Sequence, residues 1–139
     1  MKKMVGSEKQ VAWAEDIRSR YAKTLETLRE ALETYKNVEQ EESVDHDPIF
    51  GDTIITTYTK QITPAQDAAI VSSQYWHPEV EGHAGSFRRT VWVLRRAEEL
   101  KDEEHGDRMA NAEFLVLTIE ALEKALEEET DAKYWIDRR

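Results

Sequence analysis

The sequence predicts a mainly α, single helical-bundle-like domain with a small extended or β element near residues 50–60. Three observations carry this. Apolar residues recur at steps of three and four through several long stretches, the period of an α-helix face. Capping boxes stand at Ser7 with Gln10 and at Thr63 with Gln66, each opening such a stretch. Two similar Trp-bearing signatures, Ser7 to Arg18 and Asp131 to Arg139, stand at the two ends. Exposing indole is costly, so the ends are expected to meet and close one helical body. The 139 residues fit one domain, 1–139.

The first helix is expected from the Ser7 cap to a point between Asn37 and Glu42. Trp13, Ile17, Tyr21, Leu25, Leu28, Leu32 and Tyr35 form its apolar stripe. Residues Glu39 to Pro48 are acidic and aperiodic and read as a loop. The run Ile54-Ile55-Thr56-Thr57-Tyr58-Thr59 reads as a short strand or an extended segment, with no second strand evident to pair with it. Thr63-Pro64-Ala65-Gln66 starts a short helix, with Pro at the first helical position, running to about Trp76 and stopped by Pro78. Pro78 to Gly85 reads as a loop. Ser86 is the expected cap of a third helix, with Phe87, Val91, Leu94 and Ala97 on its core face, widened by Trp92 and Val93. His105-Gly106-Asp107 is the expected break. The last long helix is expected from about Arg108 to Glu129, with two adjacent apolar stripes, Ala110-Phe114-Leu117-Ala121 and Leu115-Ile119-Leu122-Leu126. So wide a face suits packing against two neighbours. Thr130 or Asp131 is placed to restart a cap before Trp135.

The composition narrows the function classes. There are no cysteines, which removes disulfides, thiolate nucleophiles and Cys-ligated zinc and favours a cytoplasmic location. No run of apolar residues is long enough for a membrane span, and the basic start is followed by no apolar stretch like that of a secretory signal. Net charge is −10, which opposes direct contact with phosphate backbones and favours a basic partner.

No catalytic motif stands out, and no enzyme activity, cofactor or metal is expected. There is no G-x-S-x-G, Walker loop or G-x-G-x-x-G, and the five glycines are scattered. His77, Glu79, Glu81 and His83, with His46, Asp45 and Asp47 further off, have ligand chemistry, but their spacing matches no helical zinc motif. Arg88, Arg89, Arg95 and Arg96 form one helical stripe beside Trp92. They suit an anion or nucleic-acid contact, or a solvated stripe bonded to acids on neighbouring helices such as Glu120, Glu123 or Glu127. The densest acidic run is Glu98, Glu99, Asp102, Glu103, Glu104 and Asp107. A second lies at Glu127, Glu128, Glu129 and Asp131, and a third at Glu39, Glu41, Glu42, Asp45 and Asp47. Of the four tryptophans, Trp13 and Trp135 are expected in one cluster, and Trp76 or Trp92 suits a partner or self-association surface.

The terminal signatures resemble those of a loose group of small proteins from bacterial phages and other mobile elements. In that group the first helix carries a pattern like S-E-K-Q-x-x-W-A-E-x-I-R, matched here by Ser7 to Arg18. The chain closes on a pattern like A-K-x-W-I-D-x-R, which begins here at Ala132-Lys133 and continues through Trp135-Ile136-Asp137. The resemblance covers about twenty residues and leaves the middle of the chain aside. It carries no catalytic residue over. It implies a mobile-element setting, where small acidic proteins often antagonise host defence, as CRISPR inhibitors and DNA mimics do. Charge and setting together lead to the expectation of a non-enzymatic, self-associating inhibitor of a basic, nucleic-acid-handling protein, with a homodimer as the expected assembly. Glu98, Glu99, Asp102, Glu103, Glu104, Asp107, Glu120, Glu123 and Glu127 are its expected docking residues. The alternatives are a nucleic-acid accessory protein using the Arg88–Arg96 stripe, or a helical structural protein.

Overall fold

The computed structural model describes residues 3–38, 40–46, 49, 51, 53–79 and 88–139, with the side chains of 40–46 and 53–58 left aside. Helix α1 spans Glu8–Lys36 and opens on the expected capping box. The Ser7 hydroxyl accepts from the Gln10 N–H, and the Gln10 side chain accepts from the Ser7 N–H. Strands β1 (Gln40–His46) and β2 (Thr53–Thr59) form an antiparallel hairpin, with Val44 opposite Ile55 and Gln40 opposite Thr59. Helix α2 (Pro64–Ser73) carries the second capping box and tightens into a 3₁₀ turn over Gln74–Trp76. Helices α3 (Arg88–Glu99), α4 (Gly106–Glu128) and α5 (Ala132–Ile136) follow.

The hairpin corrects the reading of 39–48 as a loop and supplies the missing second strand. Its first strand, Gln-Glu-Glu-Ser-Val-Asp-His, holds one β-branched apolar residue, so no strand signal shows in sequence.

Helices α1 and α4 run antiparallel as the main packed pair, since Arg108 at the start of α4 reaches the last turn of α1 while Glu123, further along α4, pairs with Arg29, which lies earlier in α1. The long apolar face of α4 is as wide as its sequence requires. Ala110, Phe114, Leu115, Ile119, Leu122 and Ala125 are buried between α1 and α3. The Arg108 guanidinium caps α1, donating to the carbonyls of Thr34, Tyr35 (3.2 Å) and Asn37 (3.1 Å). A cation there satisfies orphan acceptors and meets the negative end of the helix dipole.

The ends of the domain meet. The Val5 N–H donates to the Thr130 carbonyl at 2.7 Å and the Ala132 N–H to the Val5 carbonyl at 2.9 Å. Gly6 permits this: its φ is 149°, and a Cβ there would lie 3.0 Å from that of Ala132. Asp131 restarts the helix, its carboxylate accepting from the Lys133 N–H. Trp135 is fully buried, its Nε1–H donating to the Glu129 carbonyl at 3.1 Å.

The aromatic partners differ from expectation. Trp135 stacks on Trp76 (6.4 Å between centroids), and Tyr21 packs its edge on Trp76 at 4.4 Å. Trp13 is 46% exposed and lies under the Arg139 guanidinium. Ala14, about 100° round the helix, takes the buried position instead. Trp76 and Trp92 are core residues, not surface ones.

Helix α3 is rotated from its sequence reading. Trp92 is buried against α4, while Val91 and Leu94 are 51% and 66% exposed. Trp92 and Leu94 lie about 200° apart on a helix, so one must face out. Indole buries the larger area and wins. The proposed cap Ser86 and Phe87 lie outside the described residues.

Candidate partner-binding surface

Helices α3 and α4 form a hairpin whose turn carries the densest acidic run. Glu98 and Glu99 end α3, Asp102, Glu103 and Glu104 occupy the turn, and Asp107 lies in the first turn of α4. The turn is tight for a stated reason. His105 adopts φ 60°, and a Cβ on Gly106 would lie 2.9 Å from the Leu100 carbonyl oxygen, so glycine alone fits. All six acids are exposed. Glu99 accepts from Arg96 Nη1 at 2.8 Å, and Glu104 lies 3.5 Å from His105 Nε2. Among the described residues Glu98, Asp102, Glu103 and Asp107 enter no ion pair.

The second acidic group runs along the far half of α4. Glu120, Glu123 and Glu127 are spaced by three and four and share an exposed face. Glu123 accepts from Arg29 Nη2 at 2.9 Å, and Glu120 and Glu127 have no ion pair among the described residues. Asp107 and Glu127 are about 30 Å apart along the helix axis, so the two groups mark its opposite ends. The far end is electrostatically unfavourable. Glu127, Glu128 and Glu129 meet the negative pole of α4, whose last turn holds no basic residue.

The arginine stripe is partly engaged within the domain, through Arg88, Arg89 and Arg96. Arg96 grips Glu113 in a bidentate pair, Nε to Oε2 at 2.5 Å and Nη2 to Oε1 at 3.1 Å. Hydrogen bonds donated to the Glu113 and Glu99 carboxylates raise the pKa of its guanidinium further above its already high value. Arg89 lies 2.9 Å from Asp67, though that N–H is poorly aimed for a hydrogen bond, and its backbone N–H donates to Gln74 at 3.2 Å. Arg88 lies over the Tyr75 ring at 4.2 Å. Arg95 is exposed, with no ion pair among the described residues. The carboxylate partners of the stripe are therefore Asp67, Glu99 and Glu113, not Glu120, Glu123 or Glu127.

Trp92 donates its indole N–H to Glu79 at 2.7 Å and packs edge-on against Phe114. His77, considered above for its ligand chemistry, is a core residue. It has no exposed surface and stacks on Phe114 with centroids 4.3 Å apart. Its Nδ1 accepts from the Glu79 N–H at 3.2 Å, which assigns the ring proton to Nε2. That buried Nε2 has no hydrogen-bond partner among the described residues. Burial lowers the pKa of His77, opposed by the nearby Glu79 charge. Glu81, His83 and Asp47 lie outside the described residues. Among the described residues no three metal-ligating side chains come together.

Beside the acidic turn, α3 and α4 leave an open groove of about 660 Å³. Its floor is Trp92, Met109, Val116 and Leu117, and its rim includes Lys36 and Glu99. Sequence reasoning missed this groove, because it depends on the rotation of α3 that buries Trp92. The signal was the presence of Trp92 within the arginine stripe.

The fold is thus a mainly α domain with one hairpin, and no helix among the described residues is long and apolar enough to cross a membrane. No protein-family model, curated protein or solved structure matches the chain.

Proposed function

We propose that this protein is a non-enzymatic acidic binding protein that docks on the basic, nucleic-acid-handling surface of a protein partner and blocks it. The observation that carries the reading is the crowding of exposed carboxylates that no cation neutralises; of those named below only Asp107, in the first turn of α4, is favoured by the helix dipole. Glu98, Asp102, Glu103 and Asp107 crowd one turn without ion pairs among the described residues. Glu127, Glu128 and Glu129 crowd a helix end whose dipole repels them. Such unneutralised fields accelerate encounter with a positive surface. The groove lined by Trp92, Met109, Val116 and Leu117 offers an apolar anchor point on the same pair of helices. The terminal signatures suggest the setting, a mobile element acting in the host cytoplasm against a defence nuclease.

The test is affinity capture from a bacterial host lysate. The wild-type chain is compared with a variant carrying Glu98→Lys, Glu99→Lys, Asp102→Lys and Glu103→Lys. The expected result is capture of nucleic-acid-handling proteins that added DNA displaces and the charge reversal abolishes. Capture indifferent to both DNA and charge reversal refutes the reading. A direct gel shift with DNA or RNA that weakens steeply with salt would favour the arginine stripe instead.

A further inference from the structure

We infer that the outward face of α3 is a contact between two copies of this chain, paired antiparallel across Val91 and Leu94. The residues there are ones a monomer would be expected to cover. Val91 and Leu94 are 51% and 66% exposed although α3 had room to bury only Trp92. Tyr75, itself 55% exposed, lies under the Arg88 guanidinium at 4.2 Å, so a third large side chain is exposed on the flank of α3.

Charge decides the occupant. Along this face α3 reads cation, apolar pair, anion: Arg88, then Val91 and Leu94, then Glu98. Neither Arg88 nor Glu98 has an ion pair among the described residues. Within one copy they lie about 15 Å apart along the axis and cannot pair. Such a pattern is complementary to its own reverse. In an antiparallel pair, setting Val91 level with Leu94 of the second copy brings Arg88 level with Glu98 of the second copy to within about 1.5 Å along the axis. Both contacts then occur twice, as a two-fold interface requires. Arg95 falls level with Val91 of the second copy, where its aliphatic stem lies over the apolar centre and its head reaches the rim. An unrelated partner would have to match this order of charges by chance; a second copy does so by symmetry.

The inference does not rest on the acidic-docking proposal. The experiment is sedimentation velocity across about 1–300 µM, the range of a modest interface. The wild-type chain is expected to dimerise. Leu94→Glu places a charge in the apolar centre and weakens association about 100-fold. Arg88→Glu and Glu98→Arg each weaken it about 3- to 10-fold, and the double swap restores it. Leu94 and Glu98 are exposed, so circular dichroism melts of Leu94→Glu and Glu98→Arg are expected to match the wild type, whereas Arg88→Glu also gives up the packing of Arg88 on Tyr75. A chain that stays monomeric throughout, a dimer indifferent to Leu94→Glu, or a double swap no tighter than its singles overturns the inference.

Discussion

Removing three negative charges from the end of α4 should make this protein more stable, not less. Helix α4 finishes at Glu128 with Glu129 as its C-cap, and its last turn contains no Lys, Arg or His. Glu127, Glu128 and Glu129 therefore face the unsatisfied carbonyls and the negative pole of the helix. An anion at that end costs about 0.3–1 kcal/mol at low ionic strength. Glu127 and Glu128 are exposed and Glu129 is partly so, and the lower half of that range applies. Glutamine at the three positions should then add about 1–2 kcal/mol, which is about 3–8 °C in Tm for a chain of this length. The backbone carbonyl of Glu129 that accepts from Trp135 is unchanged by the substitution. Thermal melts followed by circular dichroism at about 20 mM and 500 mM salt make the measurement, because screening should erase most of the gain. No gain at low salt, or a loss, would show that these glutamates do support the fold. The argument that they serve binding would then fail with it. The same triple variant should capture less partner, so stability and binding move in opposite directions.

Two further outcomes are expected. Trp135→Ala should cost about 3–5 kcal/mol, read from chemical denaturation, since it removes a fully buried indole and its stacking on Trp76. A smaller loss would mean that the surrounding aromatic cluster collapses into the space. For His77, burial holds the folded pKa below its unfolded value near 6.5, so below that pH the unfolded chain binds more protons. Stability associated with His77 is therefore fully present above the unfolded pKa and falls as pH drops below it. His77→Phe keeps the stacking on Phe114 and should flatten the stability slope between about pH 6.5 and 5. An unchanged slope would assign that pH dependence to other groups.

The sequence was most legible where a local rule governed alone. Both capping boxes, the Asp131 cap and the broad face of α4 follow from residue type and spacing, and each appears where expected. Legibility failed where two residues competed for one position. On α3, Val91 and Leu94 form a proper apolar stripe, yet Trp92 takes the core because burying an indole outweighs burying the smaller pair. On α1, Trp13 yields to Ala14, which is fully buried while the indole stays 46% exposed. Strand β1 was invisible because its pairing with β2 is a tertiary fact, not a propensity. The role of Arg108 as a cap on α1 was equally hidden, since 71 to 74 residues separate donor and acceptors. As for the candidate surface, the acidic runs were readable as charge. Which acids lack an ion pair depended on where each arginine reached.

The meeting of Val5 with Thr130 and Ala132 imposes an order on biosynthesis. The face of α1 that packs on α4 and α5 leaves the ribosome roughly 100 residues before α5 does. At ordinary translation speeds that gap lasts about 5–20 s. Throughout it Ile17, Tyr21 and Leu28 lack the surfaces that bury them in the finished domain, and the nascent chain is a client for any chaperone that recognises apolar helices. Folding of this small domain is therefore gated by the synthesis of its latest-arriving tryptophan.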